Sequence, residues 1–142
     1  MIRIDRVRAK KGAEFALRTT ANFLLILALL VGGFISVHVI LGYSPVVITS
    51  PSMSPVLNEN DLIFIKKTDR LEDLNEGDIV TFRQPSSNVI VTHRVNRIEA
   101  EKGWLFTKGD GNIEEDPVPV LIDDIFGVYI YKIPGIGRFM IR

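Results

Sequence analysis

Phe23-Leu-Leu-Ile-Leu-Ala-Leu-Leu-Val-Gly-Gly-Phe-Ile-Ser-Val-His-Val-Ile-Leu41 is a run of 19 residues without a formal charge. As a helix it would be roughly 28 Å long, close to the ~30 Å hydrocarbon core of a bilayer. Gly32, Gly33, Ser36 and His38 interrupt it. A spanning helix tolerates small residues, and serine can bond back to its own preceding turn. The run therefore predicts one transmembrane anchor over 23–42. It divides the chain into a basic lead, 1–22, and an outer region, 43–142. The outer region is close to the commonest domain size of ~100–150 residues, enough for one core.

A leader that is cut away after export is the competing reading of the same run. Its apolar part would be ~7–15 residues behind a short basic lead. Here both parts are longer, so the expectation is a retained signal anchor. A buried helix of a soluble protein fits the run least well.

The overall net charge of zero conceals an asymmetry. Arg3, Arg6, Arg8, Lys10, Lys11 and Arg18 face only Asp5 and Glu14 in the lead, giving it +4 and leaving −4 for the remainder. Basic residues within ~15–20 positions of a span stay cytoplasmic. This predicts an N-terminus inside and residues 43–142 outside, with a prokaryotic plasma membrane favoured slightly over an endoplasmic-reticulum membrane. The acidic balance of the outer region leaves no basic face for nucleic acid, and that class is excluded. There is no cysteine, hence no disulfide, thiol nucleophile or thiolate metal site. His38, near the outer end of the span, reads as a neutral interfacial residue rather than a functional one.

Beyond residue 43 the pattern is that of short strands between turns. Asp61–Lys66, Asp78–Phe82, Asn88–Ile98 and Trp104–Thr107 are apolar and β-branched, with turn chemistry at Asn75-Glu76-Gly77, Pro85-Ser86-Ser87 and Lys102-Gly103. Val120–Ile133 supplies one or two more strands, broken at Asp123-Asp124 or at Gly127. The expectation is a mainly β domain, an antiparallel sheet or distorted barrel. The tail Ile133–Arg142 is apolar but too short to span a membrane as a helix. It is expected to pack on the domain or to lie on a lipid surface.

Three segments of this domain carry residues capable of chemistry. Ser50-Pro51-Ser52-Met53-Ser54-Pro55 places hydroxyls roughly ten residues beyond the anchor, at most ~33–36 Å along an extended chain. A serine in a proline-flanked loop is, by itself, usually a turn residue. Alternation along 88–98 puts Val89, Val91, His93 and Val95 on one face. The strand alone favours a core histidine satisfied by a carbonyl. One histidine outside the membrane is too few for a zinc site. Lys108-Gly109-Asp110-Gly111-Asn112-Ile113-Glu114-Glu115-Asp116 is an acidic loop forced by two glycines and an asparagine. Asp110, Asn112 and Glu114 alternate as calcium ligands do, but an EF-hand needs a helix on each side and a terminal bidentate glutamate. Taken together the three segments suggest more than each does alone. Serine needs a base to take its proton, imidazole suits that task near pH 7, and a carboxylate can orient the imidazole.

These segments resemble the signal peptidase I family, in its archaeal and endoplasmic-reticulum type. Ser50–Pro55 is similar to the family's Ser-x-Ser-Met-x-Pro box and Gly77-Asp78-Ile79-Val80-Thr81-Phe82 to its Gly-Asp-Ile-Val box. Thr92-His93-Arg94-Val95 is similar to the His-Arg-Val box and Gly109-Asp110-Gly111-Asn112 to the Gly-Asp-x-Asn box. The boxes occur in family order between about Tyr43 and Ile133.

The resemblance implies roles for individual residues. Ser52 matches the nucleophile, His93 the general base (a lysine in bacterial members) and Asp116 the triad carboxylate. Asp110 matches a second family aspartate. Ser50 matches a serine whose hydroxyl helps hold the oxyanion beside the backbone N–H of Ser52. Pro51 departs from a frequent glycine; proline preorganises the loop but removes a donor there. Gly111 stands where asparagine is common.

The resemblance further implies a membrane-anchored serine endopeptidase that needs no metal or cofactor. It would cut signal peptides from preproteins threaded into the lipid bilayer, at sites with small residues such as Ala-x-Ala. Membrane complex partners are left open. The rival readings are a related tethered serine protease with another substrate, such as a pilin or a regulator, and a non-catalytic membrane-anchored β module.

Overall fold

The computed structural model describes residues 2–140; Met1, Ile141 and Arg142, at the ends of the basic lead and the apolar tail, lie outside them. The chain forms two compact units, Met1–Leu41 and Gly42–Arg142.

The first unit is a single helix, α1, Ile2–Ile40. The change at Asn22/Phe23 is therefore one of composition and not of conformation. Its portion Glu14–Ile40 is long and apolar enough to cross a membrane. Large apolar side chains there stand exposed, Leu29 at 67% and Ile40 at 82%, a sheath that water does not tolerate over this area. The hydroxyl of Ser36 donates to the Gly32 carbonyl at 2.8 Å, and His38 Nδ1 donates to the Phe34 carbonyl at 2.7 Å. Polar groups in the run are thus satisfied within the helix, as a hydrocarbon surrounding requires.

The second unit is a seven-stranded antiparallel sheet in the order β1-β2-β7-β3-β4-β5-β6. The strands are β1 Tyr43–Val47, β2 Leu62–Lys66, β3 Ile79–Arg83, β4 Ile90–Glu99, β5 Trp104–Lys108, β6 Val120–Leu121 and β7 Ile125–Ile133. The mainly β expectation is met. Residues of β1 and β4, separated by three strands in that order, line one groove, so the sheet curls on itself. The core has two clusters. One gathers Leu74, Val80, Phe82, Val95, Leu105, Val120 and Ile125; the other gathers Ile48, Met53, Leu57, Ile63, Ile65 and Ile79.

One feature differs from the strand pattern read from sequence. β1 was not expected, because Ser44 and Pro45 interrupt its apolar character. Proline is accommodated since β1 is an edge strand, paired with β2 alone among the described residues. The segment 120–133 does give two strands, broken at the first of the two expected sites, the turn Ile122–Asp124, while Gly127 sits inside β7. A Cβ on Gly127 would stand 2.5 Å from the carbonyl oxygen of Lys66, which reserves that position for glycine.

A buried carboxylate ties the end of the sheet to the loop following the serines. Asp61 accepts from the backbone N–H groups of Asn58 at 3.0 Å and Gly135 at 3.2 Å, and from Lys132 Nζ at 2.8 Å. Burial alone would raise its pKa. The Lys132 and backbone hydrogen bonds outweigh burial and hold it below the ordinary value. The tail is half attached: the Gly137 N–H donates to the Asn60 carbonyl at 2.8 Å, while Phe139 and Met140 are exposed.

Candidate active site

Pro51 opens a short 3-10 turn, Pro51–Met53, from an extended Ser50; its fixed φ suits the first position of such a turn. Met53 and Leu57 drive into the core at 1% and 0% exposure. The Ser54 N–H donates to the Pro51 carbonyl and the Leu57 N–H to that of Met53, both at 2.9 Å. The turn therefore pins its apolar side and leaves Ser52 half-buried at the surface. The hydroxyls of Ser50 and Ser52 lie 3.1 Å apart. Both line a groove of about 390 Å³ whose other walls include Val46, Ile48, Met53 and Val91.

His93 lies on β4 and is 6% exposed. It pairs across the ladder with Val80 and packs edge-on against Phe82, ring centroids 6.3 Å apart. Its Nδ1 lies 2.7 Å from Asp116 Oδ2, which also accepts from the Thr107 hydroxyl at 2.6 Å. Burial pushes the Asp116 carboxyl up, but the hydrogen bonds from His93 and Thr107 outweigh it and hold it below the ordinary carboxylate value. An ionised carboxylate only accepts, so Nδ1 carries the proton and a neutral ring keeps its lone pair on Nε2. This histidine is satisfied by a carboxylate, not by the carbonyl the strand pattern suggested. Its Nε2 makes no hydrogen bond among the described residues, and none joins the ring to the Ser52 hydroxyl.

The acidic loop reaches both partners. The Asp116 N–H donates to the Thr107 carbonyl at 2.8 Å, which continues β5 into the loop and sets the carboxylate beside Nδ1 of His93. The Gly111 N–H donates to the Ser52 carbonyl at 2.8 Å. A Cβ on Gly109 would stand 2.5 Å from that same oxygen, and one on Gly111 would stand 3.1 Å from the Pro51 carbonyl oxygen. Two backbones meet there, so Gly109 has no room for a side chain while Gly111 is only tight. Asp110 is turned elsewhere. Its two oxygens take Arg94 Nε at 2.8 Å and Nη2 at 2.6 Å, a bidentate pair. Arg94 Nη1 also donates to the Gly77 carbonyl at 2.7 Å.

The five residues singled out from the sequence thus fall into three contacts: Ser50 with Ser52, His93 with Asp116, and Asp110 with Arg94. The loop backbone joins the first contact to the others. The sequence reading did not assign roles to Thr107 or Arg94. Arg94 sits inside a quoted box. Thr107, a polar residue in an otherwise apolar strand and 0% exposed, was a detectable anomaly. Among the described residues no three His, Asp or Glu side chains gather as metal ligands do. The acidic loop thus bonds to the serine turn through its backbone and to His93 through Asp116; a hydroxyl, an imidazole and an orienting carboxylate are the elements of acyl transfer.

Comparison with known proteins gives the same direction. Residues 17–108 match the family model described as signal peptidase, peptidase S26. The match includes Ser52 and His93 and stops short of Asp110 and Asp116. Among curated relatives, the chain is similar to signal peptidase I W of Bacillus subtilis (strain 168), 35% identical over 92 residues, 63% of this chain and 48% of that protein. It is similar to the signal peptidase complex catalytic subunit sec11 of Sclerotinia sclerotiorum, 31% identical over 101 residues, 65% of this chain and 59% of the relative. The SEC11 subunit of Scheffersomyces stipitis is 35% identical over 77 residues, covering 52% and 45% respectively. The chain thus spans about half to three-fifths of the length of these relatives.

Proposed function

This chain belongs to the signal peptidase, peptidase S26 family, and we propose that it is a membrane-anchored serine endopeptidase that removes signal peptides from exported preproteins. The observation that carries the reading is the His93–Asp116–Thr107 hydrogen-bonded group, linked through the Gly111–Ser52 backbone bond to the serine turn.

In this mechanism the Ser52 hydroxyl leaves Ser50 and turns to Nε2 of His93 when a peptide occupies the groove. Such a hydrogen bond commonly tightens only in the substrate complex. Ser52 Oγ attacks the scissile carbonyl and its proton passes to Nε2. His93 then gives that proton to the leaving amine, and the acyl-enzyme is hydrolysed by a water that the same nitrogen deprotonates. Asp116 stabilises the imidazolium. The backbone N–H of Ser52 and the hydroxyl of Ser50 hold the oxyanion. Asp110 acts one step removed: through Arg94 it fixes the strand carrying His93 and the loop carrying Asp116.

The substrate is a preprotein whose apolar segment lies in the bilayer and whose cut site stands outside it. The anchor raises the effective concentration of the domain at that surface without any new contact. The basic lead supports an orientation with the N-terminus cytoplasmic and residues 43–142 extracytoplasmic, and a plasma membrane is slightly favoured over an endoplasmic-reticulum membrane.

The test is cleavage of a detergent-solubilised model preprotein, comparing the intact chain with Ser52→Ala and locating the cut by mass. Cleavage at a small-residue site by the first and none by the second is expected. Equal cleavage by both would remove Ser52 from the mechanism.

A further inference from the structure

A second cavity, larger than the groove at the serines, has no part in the chemistry above. It encloses about 680 Å³ and is lined by Pro45, Val46, Ile65, Ile90, Ile125 and Phe126, with Ser44, Lys67, Thr81 and Asp123 completing it. Two of its walls, Val46 and Ile90, are also walls of the groove that holds Ser50 and Ser52. The hydroxyls of Thr81 and Thr92 meet at 2.9 Å; Thr81 faces this cavity and Thr92 the groove. The two spaces are neighbours divided by one layer of side chains. Ile90 is 57% exposed and Phe126 38%, a large apolar presentation for a face with nothing upon it.

From this continuity we infer that the cavity is a second substrate subsite, which takes one bulky apolar side chain of the signal peptide several residues upstream of the cut. The inference rests on the signal-peptidase reading above. Along β1 and the residue after it, Val46 lines both spaces, and Ser44 at the far end of the cavity lies four positions from Ile48 of the groove. At ~3.3 Å per strand residue that is about 13 Å, the reach of about four residues of an extended guest. β1 has an unpaired edge among the described residues, where such a guest can add as a strand. Signal peptides carry small residues at the cut and an apolar stretch before it. The smaller space beside Ser52 and the larger apolar space that extends up to four residues from it match that order. Residues following the cut belong to mature proteins of any composition and offer no such match. Lys67 and Asp123 oppose each other in sign, so the cavity selects for apolar volume rather than charge.

The test uses the full chain in detergent and two preproteins identical except for leucine or serine five residues before the cut. The intact chain is expected to favour leucine by about tenfold in kcat/KM. Phe126→Asp is expected to bring that ratio near one, and Phe126→Leu to keep it. The ratio is internal to each variant, so partial loss of folded protein does not produce it.

Should Phe126→Asp not fold, a second measurement decides. A benzophenone side chain at that substrate position, held by the Ser52→Ala chain, is expected to crosslink within 65–67, 90 or 123–126. An intact chain that cleaves both substrates equally, a ratio unchanged by Phe126→Asp, or adducts elsewhere would overturn the subsite alone. Labelling of 123–126 by a photoactivatable lipid, with no leucine preference, would overturn it by giving the cavity to the bilayer. Cleavage of neither preprotein would overturn the signal-peptidase reading itself.

Discussion

Nδ1 of His93 is committed to Asp116, so in the proposed mechanism the effect of each substitution follows from what it does to Nε2 and to the serine hydroxyl that would turn to it. His93→Ala and Ser52→Ala each remove one end of the proton transfer. Either is expected to lower kcat by on the order of 10⁴–10⁶ with the fold intact, read from preprotein cleavage beside a thermal melt. Asp116→Asn keeps the shape and loses the charge, and a smaller fall is expected. A second expectation concerns pH. The folded pKa of Asp116 is below its unfolded value of about 3.9. Ionisation of Asp116 therefore contributes stability that is complete above about pH 4 and is lost as pH falls through the lower, folded value. The difference in melting temperature between the intact chain and Asp116→Asn should be largest near neutrality and shrink below pH 4. A difference that grows on acidification would show that the carboxyl is not held ionised.

Two loops and a strand have to meet for the proposed chemistry: the loops meet backbone to backbone, and the strand joins them through the His93–Asp116 and Arg94–Asp110 contacts. Gly109→Ala would set a Cβ where the Ser52 carbonyl oxygen lies 2.5 Å away. Neither side is a flexible side chain, so the loops must part. A displacement near 1 Å costs about 10²-fold in rate, and kcat should fall by that order while the melting temperature changes little. Legibility in the sequence differs along the same elements. β2 to β5 could be read because β-branched runs sit between glycine and proline turns. β1 could not, since Pro45 argues against a strand and only its place at the edge allows one. The inward face of His93 followed from alternation; Asp116 was named only by the family resemblance, because it lies 23 residues on, in a loop whose return no local pattern records. The engagement of Asp110 by Arg94 is likewise a matter of topology.

At the scale of the whole chain, a water-compatible sheet unit follows a helix clothed in exposed apolar side chains. Removal of residues 1–41 should leave cleavage of a short peptide in detergent. It should lower kcat/KM on a preprotein inserted in vesicles by about 10²-fold or more, through loss of effective concentration. Equal losses on both substrates would mean that the helix supports the sheet unit and does not deliver it. α1 also continues without a break through the basic lead to Ile2. At 1.5 Å per residue a straight rod sets Arg18 about 8 Å before Phe23, Lys11 about 18 Å and Arg3 about 30 Å. The Debye length in physiological salt is about 8 Å. A straight helix upright in the bilayer would therefore set most positions of the lead out of electrical earshot of the anionic headgroups, which a slack tail would not do. Arg18→Glu should then disturb insertion topology far more than Arg3→Glu, as scored by protease access on intact cells.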